Sequence, residues 1–84
     1  MATKYDGLAA YLRQQQGATH TMTFAAVAAT LRPPHLPRSA SIHRAWWGNH
    51  RSATANTQAR NGWLAAGWEV DSVDLAGQTV TFRR

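Results

Sequence analysis

Arginine, asparagine, glutamine and tryptophan are interleaved through the middle of this chain in a pattern suited to gripping phosphates and reading the edges of bases. Arg38, Arg44, Arg51 and Arg60 supply planar cationic forks that hold phosphate oxygens by two-point hydrogen bonds. Asn49, Asn56, Gln58 and Asn61 supply the paired donors and acceptors that recognise base edges in a groove. Trp46 and Trp47 bring flat rings on which an unpaired base can stack, worth about 1–3 kcal/mol per base. The competing use of such a ring is core packing, and at least one of the pair is expected there. No acid interrupts the stretch: from Gly7 to Trp68 the charged side chains are Arg13, Arg32, Arg38, Arg44, Arg51 and Arg60, with His20, His35, His43 and His50 among them.

Other chemistries lack their parts. There is no cysteine, which removes disulfides, thiolate zinc sites and catalytic thiols. The histidines do not fall at the i,i+4 or H-x₃₋₅-H spacing that sets two imidazoles on one ion, since His43 and His50 are seven residues apart and His35 lies eight before His43. A nuclease built on His43, Asn49 and His50 would need a carboxylate near the ion, and this region contains none. Ser39, Ser41 and Ser52 lie near histidines without an acid to orient a triad. Glu69, Asp71 and Asp74 are far along the chain from every histidine. We therefore expect no enzymatic activity, no metal and no cofactor.

The elements that must position these residues belong to one domain, 1–84. A chain of 84 residues buries only about 60% of its unfolded surface, and four tryptophans, two tyrosines and two phenylalanines offset that shortage of core. Tyr5, Leu8, Tyr11 and Leu12 make one helical face between Thr3 and Gln16, with Thr3 and Asp6 resembling a capping box and Gly17 a stop. Phe24, Val27, Ala28 and Leu31 repeat the pattern over Thr23 to Arg32, from a Thr23 cap to Pro33-Pro34. A connector follows, in which His43 to Trp47 reads as a short strand with Arg44 and Trp46 on one face and Ala45 and Trp47 on the other. Thr57 to Gly67 reads as a third helix with Ala59, Trp63 and Ala66 inward and Gln58, Arg60 and Asn61 outward. Gly62 weakens its interior unless a close contact requires it. The alternation in Trp68 to Asp74 and Thr79 to Arg83, around Ala76-Gly77-Gln78, predicts a C-terminal hairpin. Trp63 and Trp68 are expected in the core. The fold class is α+β, three short helices with a small antiparallel sheet, in a winged-helix-like order.

The run His43-Arg44-Ala45-Trp46-Trp47-Gly48-Asn49, then Gln58-Ala59-Arg60, Trp63, Ala66-Gly67-Trp68-Glu69-Val70 and Val80-Thr81-Phe82-Arg83, resembles a small uncharacterised domain family of bacteria, archaea and their phages. The likeness extends upstream to Tyr5, Leu8, Tyr11-Leu12, Phe24 and Leu36-Pro37, which covers nearly the whole chain. It implies a single domain of shared architecture. The longer polar stretch Arg51 to Asn56 departs from the family's pattern.

Nine Lys+Arg against four Asp+Glu give a net charge of +5, and eight of the nine cations are arginine. This balance points to a polyanionic partner. The expected function is binding of double-stranded DNA through the connector and the third helix, as a regulator, nucleoid or phage factor. Its contact residues would be Arg38, Arg44, Trp46, Asn49, Arg51, Gln58, Arg60, Asn61 and Arg83. Arg84 could reach a neighbouring phosphate beside Arg83. The alternative is a protein-interaction module that docks an acidic partner through a basic, tryptophan-bearing face. A symmetric homodimer is one route by which so small a domain gains affinity. The N-terminus carries no apolar signal core and no stretch approaches about 18 apolar residues, so a cytoplasmic location without membrane contact is expected.

Overall fold

In the computed structural model, which describes residues 3–49 and 57–84, helices cover one face of a three-stranded antiparallel sheet. Helix α1, Asp6–Arg13, buries Leu8, Ala9 and Leu12, the face its apolar spacing predicted. The Asp6 carboxylate accepts from the Thr3 N–H at 2.9 Å and from the Thr3 hydroxyl at 2.8 Å. Only one limb of a capping box is therefore present, because the Thr3 hydroxyl accepts from the Tyr5 N–H and the Asp6 N–H donates to the Thr3 carbonyl, and the helix starts after Tyr5. Strand β1, Thr19–Thr23, has no counterpart in the sequence pattern, since Met22 alone in it is buried and five mostly polar residues carry little periodic signal. Thr23 closes this strand and caps helix α2, Phe24–Ala29, accepting from the Ala26 N–H at 3.0 Å as expected.

The strand expected at His43 to Trp47 is absent. Helix α3, Arg38–Ile42, is followed by a 3₁₀ turn, Arg44–Trp47. Packing explains the difference: a strand would send the two tryptophans to opposite faces, whereas the tight turn brings both rings into one aromatic cluster. Trp47 stacks on Phe24 and Trp63 at 5.0 and 5.8 Å, and Trp46 meets Trp47 edge-on at 4.7 Å.

The third predicted helix exists in irregular form, as a π-helical segment Ala59–Trp63 that tightens into a 3₁₀ turn Leu64–Ala66. Gly67 ends it with φ +84°, the left-handed stop predicted there. Gly62 answers to a close approach, because a Cβ on it would lie 3.3 Å from Leu8 Cδ2 and 3.6 Å from Tyr5 Cβ. Strands β2, Glu69–Asp74, and β3, Thr79–Arg83, form the expected hairpin. A bulge between Val70 and Ser72 inserts Asp71 and rephases the strand, so that Val70 and Val73, three residues apart, are both buried. Strand β1 pairs with β3, giving the order β1-β3-β2, so that among the described residues no strand pairs with the outer side of β2. Met22, Val70, Val73, Val80 and Phe82 pack against Leu8, Leu12, Trp47, Trp63 and Trp68 to form the core. No helix among the described residues is long and apolar enough to cross a membrane.

Candidate nucleic-acid interface

Eight consecutive residues, Arg38 to Ala45, form the most continuous basic exposure among the described residues, and within them only Ala40 is buried. Helical geometry turns successive residues by about 100°. Arg38 and Ile42, four apart on α3, therefore share a side, and Ala40 points the opposite way into the core. The helix is pinned from beneath: the Trp47 indole N–H donates to the Ala40 carbonyl at 2.9 Å. His43 and Arg44 continue the exposed run, and the Arg44 guanidinium donates to the Val73 carbonyl, which anchors the turn to β2. The bond is made by a terminal nitrogen, so the guanidinium itself lies against β2, and it uses one of the group's five N–H donors.

Several predicted contact residues have structural work instead. Asn49 stands against the outer side of β2 and pairs with it as the peptide of a neighbouring strand would. Its Oδ1 accepts from the Val70 N–H at 2.8 Å and from the Trp63 indole at 3.0 Å, and its Nδ2 donates to the Val70 carbonyl at 3.0 Å. Gln58, expected outward, is buried at 7% exposure and donates to the Trp46 carbonyl at 2.7 Å. The correction has a physical cause, since the wide π turn brings residues 58 and 59 together onto the inner side and Gln58 then satisfies a carbonyl of the tryptophan turn. Arg83 pairs with Asp71 at 3.1 Å and Glu69 at 3.5 Å, so nearby acids offset its charge. Arg84 lies over the Trp68 ring at 4.7 Å and donates to the Gly17 carbonyl at 2.9 Å.

Trp46 is the half-buried member of its pair and Trp47 the core member. The Trp46 ring edges onto Tyr5 at 6.3 Å and tilts against Trp63 at 6.2 Å, leaving part of it open. Burial raises the Tyr5 hydroxyl above its ordinary value beside it. Arg60 is exposed and Asn61 half-buried on the π segment, outside the Arg38 to Ala45 run in sequence. Arg51, His50 and Asn56 lie outside the described residues. A groove of about 420 Å³ runs along the outer side of β2, lined by Arg44, Trp47, Asn49, Asp71 and Ser72 among others. Among the described residues no group of three His, Cys, Asp or Glu could hold a metal ion. His20 instead shares a 3.0 Å hydrogen bond with the Tyr11 hydroxyl.

A family profile matches residues 5–84, nearly the full chain. The chain belongs to the family described as Domain of unknown function (DUF7662). No curated protein and no solved structure matches it. In this DUF7662 domain Trp47, Gln58, Trp63 and Asn49 build the aromatic core and its hydrogen bonds, while Arg38, His43 and Arg44 are displayed. Sequence reasoning overlooked Ile42, which is 54% exposed beside those cations. An isolated isoleucine on a short helix gives no periodic signal by which exposure could be read.

Proposed function

We propose that this DUF7662 domain is a small nucleic-acid-binding protein that contacts double-stranded DNA through α3 and the turn that follows it. The observation that carries the reading is the exposed run Arg38 to Ala45, anchored on Ala40 and free of acidic residues. The chain's four acids have partners of their own: Asp6 bonds Thr3, Asp74 accepts from the Gly77 N–H, and Glu69 and Asp71 pair with Arg83, although Asp71 also lines the groove beside Arg44. The sign and placement of charge thus favour a polyanion at α3 over one at the hairpin. A C-terminal hairpin behind a helix-rich half also suits a winged-helix-like arrangement, which adds support as an analogy of fold. Arg60, outward on the π segment, is the second contact region of this reading. A cytoplasmic regulator, nucleoid component or phage factor fits a cysteine-free basic domain.

The test is fluorescence anisotropy with a random-sequence duplex over a range of salt. Binding through several phosphates falls with a log–log slope of about −0.9 per contact. Arg38→Ala and Arg60→Ala should each make the slope shallower by about one contact while circular dichroism stays unchanged. Absence of duplex binding at low salt refutes the reading and favours an acidic protein as partner of the same face.

A further inference from the structure

Ile42 is the one large apolar side chain that is exposed among the described residues, at 54%. Its surroundings in the chain are polar or cationic: Arg38 one turn before it on the same side, Ser41 beside it, His43 and Arg44 after it, all exposed. It points away from the core, because Ala40, the buried residue of α3, lies roughly 160° around the helix axis. A branched apolar side chain held at the crest of a cationic turn has a natural complement in DNA. The major groove of a duplex offers one apolar group, the thymine 5-methyl, beneath a rim of phosphates. A helix with its side chains is about 10–12 Å across, which a major groove about 12 Å wide admits.

We infer that Ile42 is a base-contacting residue that covers thymine methyl groups in the major groove while Arg38 and Arg44 hold the flanking phosphates. This rests on the DNA-binding reading above and adds to it a preference for thymine-containing duplex DNA over nucleic acids that carry uracil. The charge of the rim decides between occupants. An apolar protein anchor on Ile42 would cover the exposed Arg38 on the same side of α3 at a cost in desolvation, whereas DNA supplies a phosphate to that cation.

The experiment uses the full chain with two alternating A·T duplexes of the same length, one containing thymine and the other deoxyuridine. They differ by the methyl groups alone in composition, and any change of duplex shape is felt equally by parent and variant. The parent is expected to bind the thymine duplex about fourfold more tightly for each methyl covered, as burial of one such group allows. Ile42→Ala should bind both duplexes equally and keep the parent's salt slope, since it removes no phosphate contact. Its circular dichroism should match the parent's, because the side chain is exposed. Binding of both duplexes with equal affinity by the parent overturns the inference and leaves DNA binding standing. Discrimination that persists in Ile42→Ala also overturns it. Failure of the parent to bind either duplex overturns the DNA reading and this inference with it.

Discussion

Replacing Asn49 by alanine tests whether this residue reads DNA or holds the fold. Its amide serves three partners at once: the Val70 N–H, the Val70 carbonyl and the Trp63 indole N–H. Trp63 is fully buried, so its indole N–H would lose the Asn49 acceptor in a place where water enters poorly. An orphaned buried donor costs about 1–3 kcal/mol, and each strand-edge group that turns to water instead costs about 0.5–1.5 kcal/mol. The expected loss is therefore about 2–6 kcal/mol, a large share of the roughly 4–13 kcal/mol available to a domain of this size. Urea denaturation followed by tryptophan fluorescence measures it. With a slope of about 1 kcal/mol per molar urea, the midpoint should fall by about 2 M or more. A variant within about 0.5 kcal/mol of the parent refutes the structural role. If such a stable variant also lost affinity for duplex DNA, Asn49 would be a reader after all.

Three further outcomes follow from particular contacts. Gly7→Ala should cost about 1–3 kcal/mol, because its Cβ would fall 2.0 Å from the Thr30 carbonyl oxygen and α1 would have to withdraw from the end of α2; a thermal melt unchanged from the parent's would contradict that packing. Trp46→Phe should remove the component of fluorescence that acrylamide quenches readily, while Trp47→Phe should lower stability by leaving the Ala40 carbonyl without its indole donor and loosening the stack on Phe24. The reverse pattern would exchange the two roles. Hydrogen bonds from the backbone and then the hydroxyl of Thr3 hold the Asp6 carboxyl below its ordinary value. Because the folded value is the depressed one, its stabilising contribution is present in full above the ordinary aspartate range and is lost as pH falls through the folded value. Asp6→Asn should thus flatten the acid limb of a stability-against-pH curve, and an unaltered limb would show that Asp6 contributes nothing there.

Much of the scaffold is legible from local chemistry. Thr23 before Phe24, Gly67 after Ala66 and the alternation around Val80 and Phe82 each encode a cap, a stop or a strand within a few residues, and each is found where predicted. The strand β1 is not legible, because three threonines, a histidine and one buried methionine become a strand only when β3 offers its hydrogen-bonding edge. The phase of β2 is likewise decided by a bulge that pairing with β3 creates.

The candidate interface divides in the same way. The acid-free arginine stretch and its +5 charge are properties of composition, readable without a fold. Which of its polar side chains are displayed is a matter of tertiary packing. Asn49, Gln58 and Arg60 look alike as surface candidates in sequence. Folding spends the amide of Asn49 on the outer side of β2 and buries Gln58 under the tryptophan turn, while Arg60 stays outward. The sequence by itself determined the chain's net positive charge, because charge sums along a chain regardless of its path. Only the tertiary structure decided that α3 presents Arg38 and Ile42 together, because one buried methyl group, Ala40, sets which side of that helix faces water.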